Sequence, residues 1–325
     1  MPVVDNTYSL RAGVLKDLME TWKNKAPVFE KQQKLLVKFL PYKALRKASF
    51  VWKESLPFPK PWPYGKGRTY QTLKDRLIQV SYTPYELSIP YNYYDLEDDQ
   101  LGDQKTHIEK AVERFLMLPD KFIAEYLNSS ASLLPAINNA YDGVALFSTT
   151  DGDGSDRFSA SGGNIVTGSG GGTAAAVLHD VLAAQRRFLT FKDTAGQPVF
   201  SEENVTLDRL SVIVPNALNE VLQKATKSEY IHMDTGSITA ESNFAKGTFK
   251  YHLNPYLTDS VDYYVAVEDP YWKAFVYRSP KALRQIFSEF SNSDRAREYN
   301  EEALMADLRV GIGPWIPFVF IKINN

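Results

Sequence analysis

The sequence predicts a mixed α+β chain, and three observations carry that reading. One stretch, 103–128, has the apolar spacing of a long amphipathic helix. Runs rich in β-branched and aromatic residues at 69–93, 210–215, 261–291 and 316–323 read as strands. Helices and strands do not alternate regularly, which sets the chain apart from doubly wound and barrel enzymes.

From the N-terminus, residues 1–48 read as an arm rather than a domain. Leu10, Val14, Leu18 and Trp22 give a short amphipathic helix, and a basic run follows with Lys31, Lys34, Lys38, Lys43, Arg46 and Lys47. Two readings stay open for that run: a solvated lysine-rich surface, or an arm laid on a partner. The segment 55–65, SLPFPKPWPYG, holds four prolines among aromatics. Proline at that density excludes helix and central strand, which leaves a stiff extended strut or loop.

In 69–93, Ile78, Val80 and Tyr82 alternate on even positions. After Pro84 the apolar set moves to odd positions: Tyr85, Leu87, Ile89, Tyr91 and Tyr93. A phase change across a proline requires a bulge or a bend. Pro84 and Pro90 also restrict this strand to a sheet edge or a two-stranded ribbon. Such a ribbon is marginal on its own, so something must cover it.

In the helix, Ile108, Ala111, Val112, Phe115, Leu116, Phe122, Ile123, Tyr126 and Leu127 share one face, and Glu109, Lys110, Glu113, Arg114, Asp120, Lys121 and Glu125 mostly take the other. Asp98, Asp99 and Asp103 suit a helix start. At ~1.5 Å per residue the helix spans roughly 39 Å. Pro119 removes one backbone donor and crowds the carbonyl of Phe115, which predicts a bend.

Beyond it, 140–150 (AYDGVALFSTT) is strand-like, and the polar tract 151–172 is flexible by composition. Residues 173–192 predict a second helix with Thr173 as its N-cap and Val177, Leu178, Val181, Leu182, Ala184 and Phe188 on its buried side. LSVIVP (210–215) reads as a buried strand, and NALNEVLQKAT as a helix after it. The span 229–259 is loop-rich. Strands are expected at 261–269, 273–279 and 282–291, then a helix at 297–309 and a closing strand at 316–323.

The 325 residues suggest about two domains, with 44% hydrophobic and 23% charged residues. A net charge of −2 gives no bulk attraction to nucleic acid or membrane. No cysteine is present, so disulfides and thiolate metal sites are excluded. The N-terminal stretch lacks the apolar run of a signal peptide, and no window approaches a membrane-spanning length.

Chemistry-bearing motifs are absent. The histidines at 107, 179, 232 and 252 have no ligand spacing. Asp151, Asp153 and Asp156 imitate the start of a calcium loop, but Asp156 and Gly162 occupy its glycine and glutamate positions. The glycines at 168–172 lack a phosphate-loop ending. The cluster Asp95, Glu97, Asp98, Asp99 and Asp103 reads as helix capping rather than paired catalytic carboxylates. No cofactor, metal or catalytic residue is expected.

Several segments in a fixed order do carry a resemblance. Tyr85–Glu86–Leu87–Ser88–Ile89 precedes Leu96–Glu97–Asp98–Asp99–Gln100–Leu101–Gly102 and the long helix. Then come Tyr141–Asp142–Gly143–Val144–Ala145–Leu146–Phe147–Ser148 and Leu210–Ser211–Val212–Ile213–Val214–Pro215. Over roughly residues 65–325 the chain resembles tailed-bacteriophage major capsid proteins, closest to the Mu-like major head subunit group. It departs where that group often has His-Pro after the LFS segment and this chain has TTDGDG.

The resemblance implies an N-terminal arm at 1–48 and an extended loop of strut and ribbon at 49–93. It implies a peripheral domain at 94–172 and 277–294 with spine helix 103–128, and an axial domain at 173–276 and 295–325. The implied product is an icosahedral phage head of pentamers and hexamers enclosing double-stranded DNA without sequence-specific binding. Portal, scaffold and decoration proteins are the implied partners, with no membrane. A cellular compartment shell, a tail structural protein and a hydrolase using the acidic cluster are the alternatives.

The residues themselves add an interface expectation. Lys66, Arg68, Lys74 and Arg76 of the loop should approach Asp95, Glu97, Asp98 and Asp99 of another subunit, with Trp62 and Tyr64 anchoring the tip.

Overall fold

The computed structural model describes residues 20–27, 33–41, 47–53, 59–68, 75–92, 103–170, 172–231, 241–279, 284–287 and 301–325, together with positions 16, 29, 70 and 298. Two five-stranded sheets organise these residues, and the expected long helix lies at their junction. It runs as α1 (Asp103–Leu116) and α2 (Leu118–Leu127), broken at Met117. The break sits where Pro119 cannot donate to the Phe115 carbonyl, while Met117 and Lys121 keep their own backbone bonds. The expected apolar stripe is buried: Val112, Phe115, Leu116, Phe122, Ile123, Tyr126 and Leu127. Glu125 closes the end by accepting the amides of Leu133 and Leu134 at 2.7 and 2.8 Å.

The first sheet runs β1 (Val37–Leu40), β11 (Phe275–Arg278), β13 (Glu301–Pro314), β12 (Arg284–Phe287), with β4 (Thr83–Asn92) also on β13. β13 corrects the helix expected at 297–309. The Glu, Ala, Leu and Met residues of 301–306 are good helix formers. Yet Ala306, Leu308, Val310 and Ile312 alternate and are buried, which is strand periodicity. Ten-residue antiparallel pairing with β4, from Glu301↔Asn92 to Val310↔Thr83, overrides the local preference. The ribbon's phase change is present as well: Tyr82 is buried, and after it the odd positions 83, 85, 87 and 89 turn inward. Pro84 and Pro90 share a parity, and neither can donate to β13. Both therefore sit on the free edge of β4, which leaves Glu86 and Ser88 as donors between them and blunts the edge against strand addition.

The described part of the basic run is joined to the first sheet. β1 pairs in parallel with β11 of its own chain, and Gln33 is buried against the helix break. Residues 20–27 are helical, and Lys25 donates to Glu113 at 2.8 Å. Hydrogen bonds from Lys25 and then Lys110 hold Glu113 below the usual carboxylate range.

The second sheet runs β5 (Ile165–Thr167), β14 (Phe320–Asn324), β10 (Tyr263–Val267), β6 (Leu210–Val214), β9 (Lys250–Leu253). All five residues of β6 and all five of β10 are buried, as their unbroken apolar runs require. Two helices accompany it, α3 (Ala174–Thr190) and α4 (Asn219–Lys227). The Thr173 hydroxyl caps α3 by accepting from the Ala176 amide at 3.1 Å, so Thr173→Ala is expected to cost about 1 kcal/mol in denaturant unfolding. A small hairpin of β7 (Tyr230–Ile231) and β8 (Glu241–Ser242) follows α4.

Two loop expectations are corrected. Residues 140–150 form turns rather than a strand. The glycine-rich tract after them is folded, with Arg157 and Asn164 fully buried and β5 paired to β14. Arg157 gathers the loop: its guanidinium reaches Asp142 through Nε (2.7 Å) and Nη2 (3.0 Å), and its Nη1 reaches the carbonyls of Ala145 and Leu146.

The two sheets share one continuous apolar core. Phe320 packs on Phe147 and Phe275, while the Tyr126 and Tyr264 hydroxyls donate to the carbonyls of Ile312 and Leu127.

Candidate functional site

The expected loop packs one face of its stem on this core and presents its other face and its tip to solvent. Its stem is a two-stranded ribbon of β2 (Lys47–Lys53) and β3 (Asp75–Ser81), paired from Lys47↔Ser81 to Lys53↔Asp75. Period-two alternation gives the stem two faces. Phe50, Ile78 and Val80 are buried on one. The cross-strand pair Val51–Leu77 lies on the other, 60% and 55% exposed. The Lys53 ammonium meets Asp75 at 2.6 Å where the ribbon opens toward the tip. β2 escaped the sequence reading because KASFVWK adjoins the lysine run and the prolines. Its signal was the placing of Ala48, Phe50 and Trp52 at every second position between Lys47 and Lys53.

The tip carries the proline-rich segment, whose described part, 59–65, has neither helix nor strand, as expected. It is a preformed turn rather than a loose end. The Lys66 amide donates to the Pro63 carbonyl at 3.2 Å, Trp62 Nε1 donates to the Lys66 carbonyl at 2.6 Å, and the Arg68 guanidinium lies 5.2 Å from the Trp62 ring. Gly65 at φ +80° permits the turn. Trp62 is still 64% exposed, and Tyr64 is wholly in solvent. Trp62 thus shapes the tip, while Tyr64, Lys66 and Arg68 are presented by it.

The other expected site residues divide differently. Arg76 lies 5.5 Å from the Tyr141 ring of its own chain, so it is engaged within the subunit at the tip-side end of the ribbon stem. Lys74, Asp95, Glu97, Asp98 and Asp99 lie outside the described residues.

The root of the ribbon is fixed by residues the sequence reading passed over. A Cβ at Gly313 would sit 2.5 Å from Val80 Cγ2, and one at Gly311 would sit 3.1 Å from the Tyr82 ring. β3 thus crosses β13 at a pair of glycines. Just beyond, Tyr85 ties β4 to the spine by donating to the Leu133 carbonyl at 3.1 Å and packing 5.1 Å from Phe122. Burial pushes its phenol up to about 12.

Among the described residues no group of three or more His, Asp or Glu side chains is placed to hold a metal ion, and no helix is long and apolar enough to cross a membrane.

Comparison with known proteins bears on this arrangement. No curated protein matches the chain in sequence. In structure it is similar to the capsid of an empty GTA particle, at 10% identity with a TM-score of 0.55, covering 90% of this chain and 89% of that one. It is similar to a chain of Microbacterium phage Oxtober96, at 10% identity and a TM-score of 0.54, covering 90% of each. It is also similar to the capsid of Cyanophage P-SCSP1u, at 11% identity and a TM-score of 0.52, covering 89% of this chain and 85% of that one. At such identities these likenesses speak for the fold, which is that of tailed-phage capsid proteins. The family model described as the Mu-like prophage major head subunit gpT matches residues 20–186, a stretch that includes the whole ribbon and both parts of the spine. That match favours the capsid reading over the compartment-shell, tail-protein and hydrolase alternatives. The chain belongs to the Mu-like prophage major head subunit family, and is a major capsid protein.

Proposed function

We propose that copies of this subunit close an icosahedral phage head of pentamers and hexamers around double-stranded DNA, with the ribbon of each copy laid on its neighbour. The observation that carries this is the preformed tip with Trp62 and Tyr64 in solvent, above a stem whose outer face exposes Val51 and Leu77. Apolar surface of this kind on a folded stalk belongs in an interface. Many modest interfaces repeated by symmetry then suffice for a stable shell. Lys66 and Arg68 would steer the tip to the acidic helix start of the neighbour, with Asp95, Glu97, Asp98 and Asp99 as receivers. The role is structural and not enzymatic.

The arm, loop, peripheral and axial division is retained with two changes of boundary. The pairing of β4 with β13 supports grouping 83–92 and 301–314 with the peripheral part, which leaves 47–81 as the loop. The pairing of β5 with β14 supports grouping 140–172 with the axial part. A net charge of −2 fits enclosure of DNA without sequence-specific binding. Portal, scaffold and decoration proteins complete the proposed set of partners.

The test is the double variant Trp62→Ala, Tyr64→Ala. Particle yield by sedimentation and negative-stain microscopy is expected to fall tenfold or more. Subunit stability should change by less than about 1 kcal/mol, because both side chains are exposed. Wild-type yield of closed particles would overturn the role given to the tip.

A further inference from the structure

Where the spine breaks, the chain forms a pocket of about 150 Å³, open to the surface, beside one half-buried carboxylate, that of Asp120. Three segments distant in sequence make its wall. Gln33 and Leu36 come from the N-terminal segment, Met117 and Asp120 from the junction of α1 and α2, and His252 and Tyr256 from β9 and the turn after it. Gln33 Nε2 donates both to the Leu116 carbonyl (2.8 Å) and to Asp120 Oδ2 (2.9 Å). From the far wall, Asn254 Nδ2 donates to the Asp120 backbone carbonyl at 3.0 Å. Asp120 is thus tied to the N-terminal segment by its side chain and to the axial sheet by its backbone.

Among the described residues the charged and titratable groups around it are few. Lys34 is exposed on the N-terminal segment, Lys121 and Glu125 lie on α2, and His252 and Tyr256 stand on the far wall, while β6 offers only apolar Ile213. Glu125 is occupied by the amides of Leu133 and Leu134. Among the described residues, Gln33 is the side-chain partner of the Asp120 carboxylate, and no cation joins it. A half-buried carboxylate whose one side-chain partner is a neutral donor is disfavoured in its charged form.

We propose that Asp120 is a proton-operated catch: neutral, it lets the N-terminal segment, the spine break and the 252–256 turn close on one another, and ionised, it loosens them. Burial raises its carboxyl to about 6, against the opposing pull of Gln33. The native state therefore holds this proton more tightly than the unfolded chain. The stabilisation is full below about pH 4 and is lost as the pH rises through about 6. His252 acts with the opposite sign, since burial lowers its pKa and its contribution is lost in acid. Because every group involved belongs to one subunit, the catch is independent of the shell reading.

Urea unfolding of the purified full-length subunit from pH 4 to pH 7.5 tests it, with Asp120→Asn and His252→Gln as variants. Relative to Asp120→Asn, the folded-to-unfolded ratio of the wild type should fall up to about 100-fold across that range. His252→Gln should keep that fall. A wild-type to Asp120→Asn difference that does not vary with pH overturns the catch. Should Asp120→Asn fail to fold, infrared spectra of the wild-type chain with isotope-labelled aspartate decide. A protonated carboxyl band surviving to about pH 6 supports the catch, and its loss by pH 5 overturns it.

Discussion

Replacing Arg157 by methionine is expected to lower subunit stability by about 3–5 kcal/mol, read as a large drop in the urea midpoint. The side chain has no exposure, and its partner Asp142 is nearly as enclosed, with 8% of its side chain accessible. Besides the two bonds to Asp142, Nη1 serves the carbonyls of Ala145 and Leu146 and Asn164 Oδ1, at 3.0, 2.8 and 3.2 Å. Asn164 in turn holds the Phe320 carbonyl of β14 through Nδ2, at 3.1 Å. Methionine fills much of the volume but leaves a buried carboxylate and the Ala145 carbonyl without this donor, which is the expensive half of a buried pair. The Leu146 carbonyl keeps only Asn164 Nδ2, at 2.9 Å. Arg157→Lys keeps the charge yet lacks the planar fork, so it should recover less than half of the loss. The double variant Arg157→Met, Asp142→Leu removes both charges and should be more stable than Arg157→Met alone. A single-variant loss below about 1 kcal/mol would mean that the loop is held by something other than this guanidinium.

Arg157 also marks where the sequence was hard to read. Glycine, serine and aspartate surround it, and composition there says flexible. One long side chain binding five acceptors defeats composition, because order in that loop comes from hydrogen bonds and not from apolar periodicity. Where periodicity or capping decides the structure, the reading was sound. The apolar stripe of the spine, the break near Pro119, the Thr173 cap, the buried LSVIVP strand and the phase change around Tyr82 all follow from residues a few positions apart. The strand at 301–314 was misread because helix propensity is local, whereas its pairing with residues 83–92 is not.

The candidate site shows the same division. Density of proline and aromatic residues made the tip visible. The inward turn of Arg76 was invisible, since Tyr141 meets it only in the folded chain. Gly311 and Gly313 gave no signal either, because their importance lies in what crosses them.

That crossing sets the second large effect, for Gly313→Ala is expected to destabilise the subunit by about 1–3 kcal/mol and to reduce particle yield more than stability alone explains. The new methyl would meet Val80 Cγ2 at 2.5 Å. Val80 is buried and β-branched, so it cannot swing aside cheaply. Relief must come from movement of β3, and the ribbon acts as a lever. Five residues separate Val80 from Asp75, roughly 17 Å of strand, so a tilt of about 10° at the root displaces the ribbon end by roughly 3 Å. The tip lies farther out and moves more, which is enough to miss a neighbour's side chains. Val80→Ala alone should cost about 1–3 kcal/mol by leaving a cavity. Combined with Gly313→Ala, the two methyl changes offset each other, so the double variant should be more stable than the sum of single losses predicts and should regain particles. If Gly313→Ala lowers the unfolding midpoint while closed particles form at the wild-type level, the ribbon root does not set the geometry of assembly. Stability and assembly must fall together in the single variant and recover together in the double one, because a single contact between Val80 and the Gly313 backbone governs both.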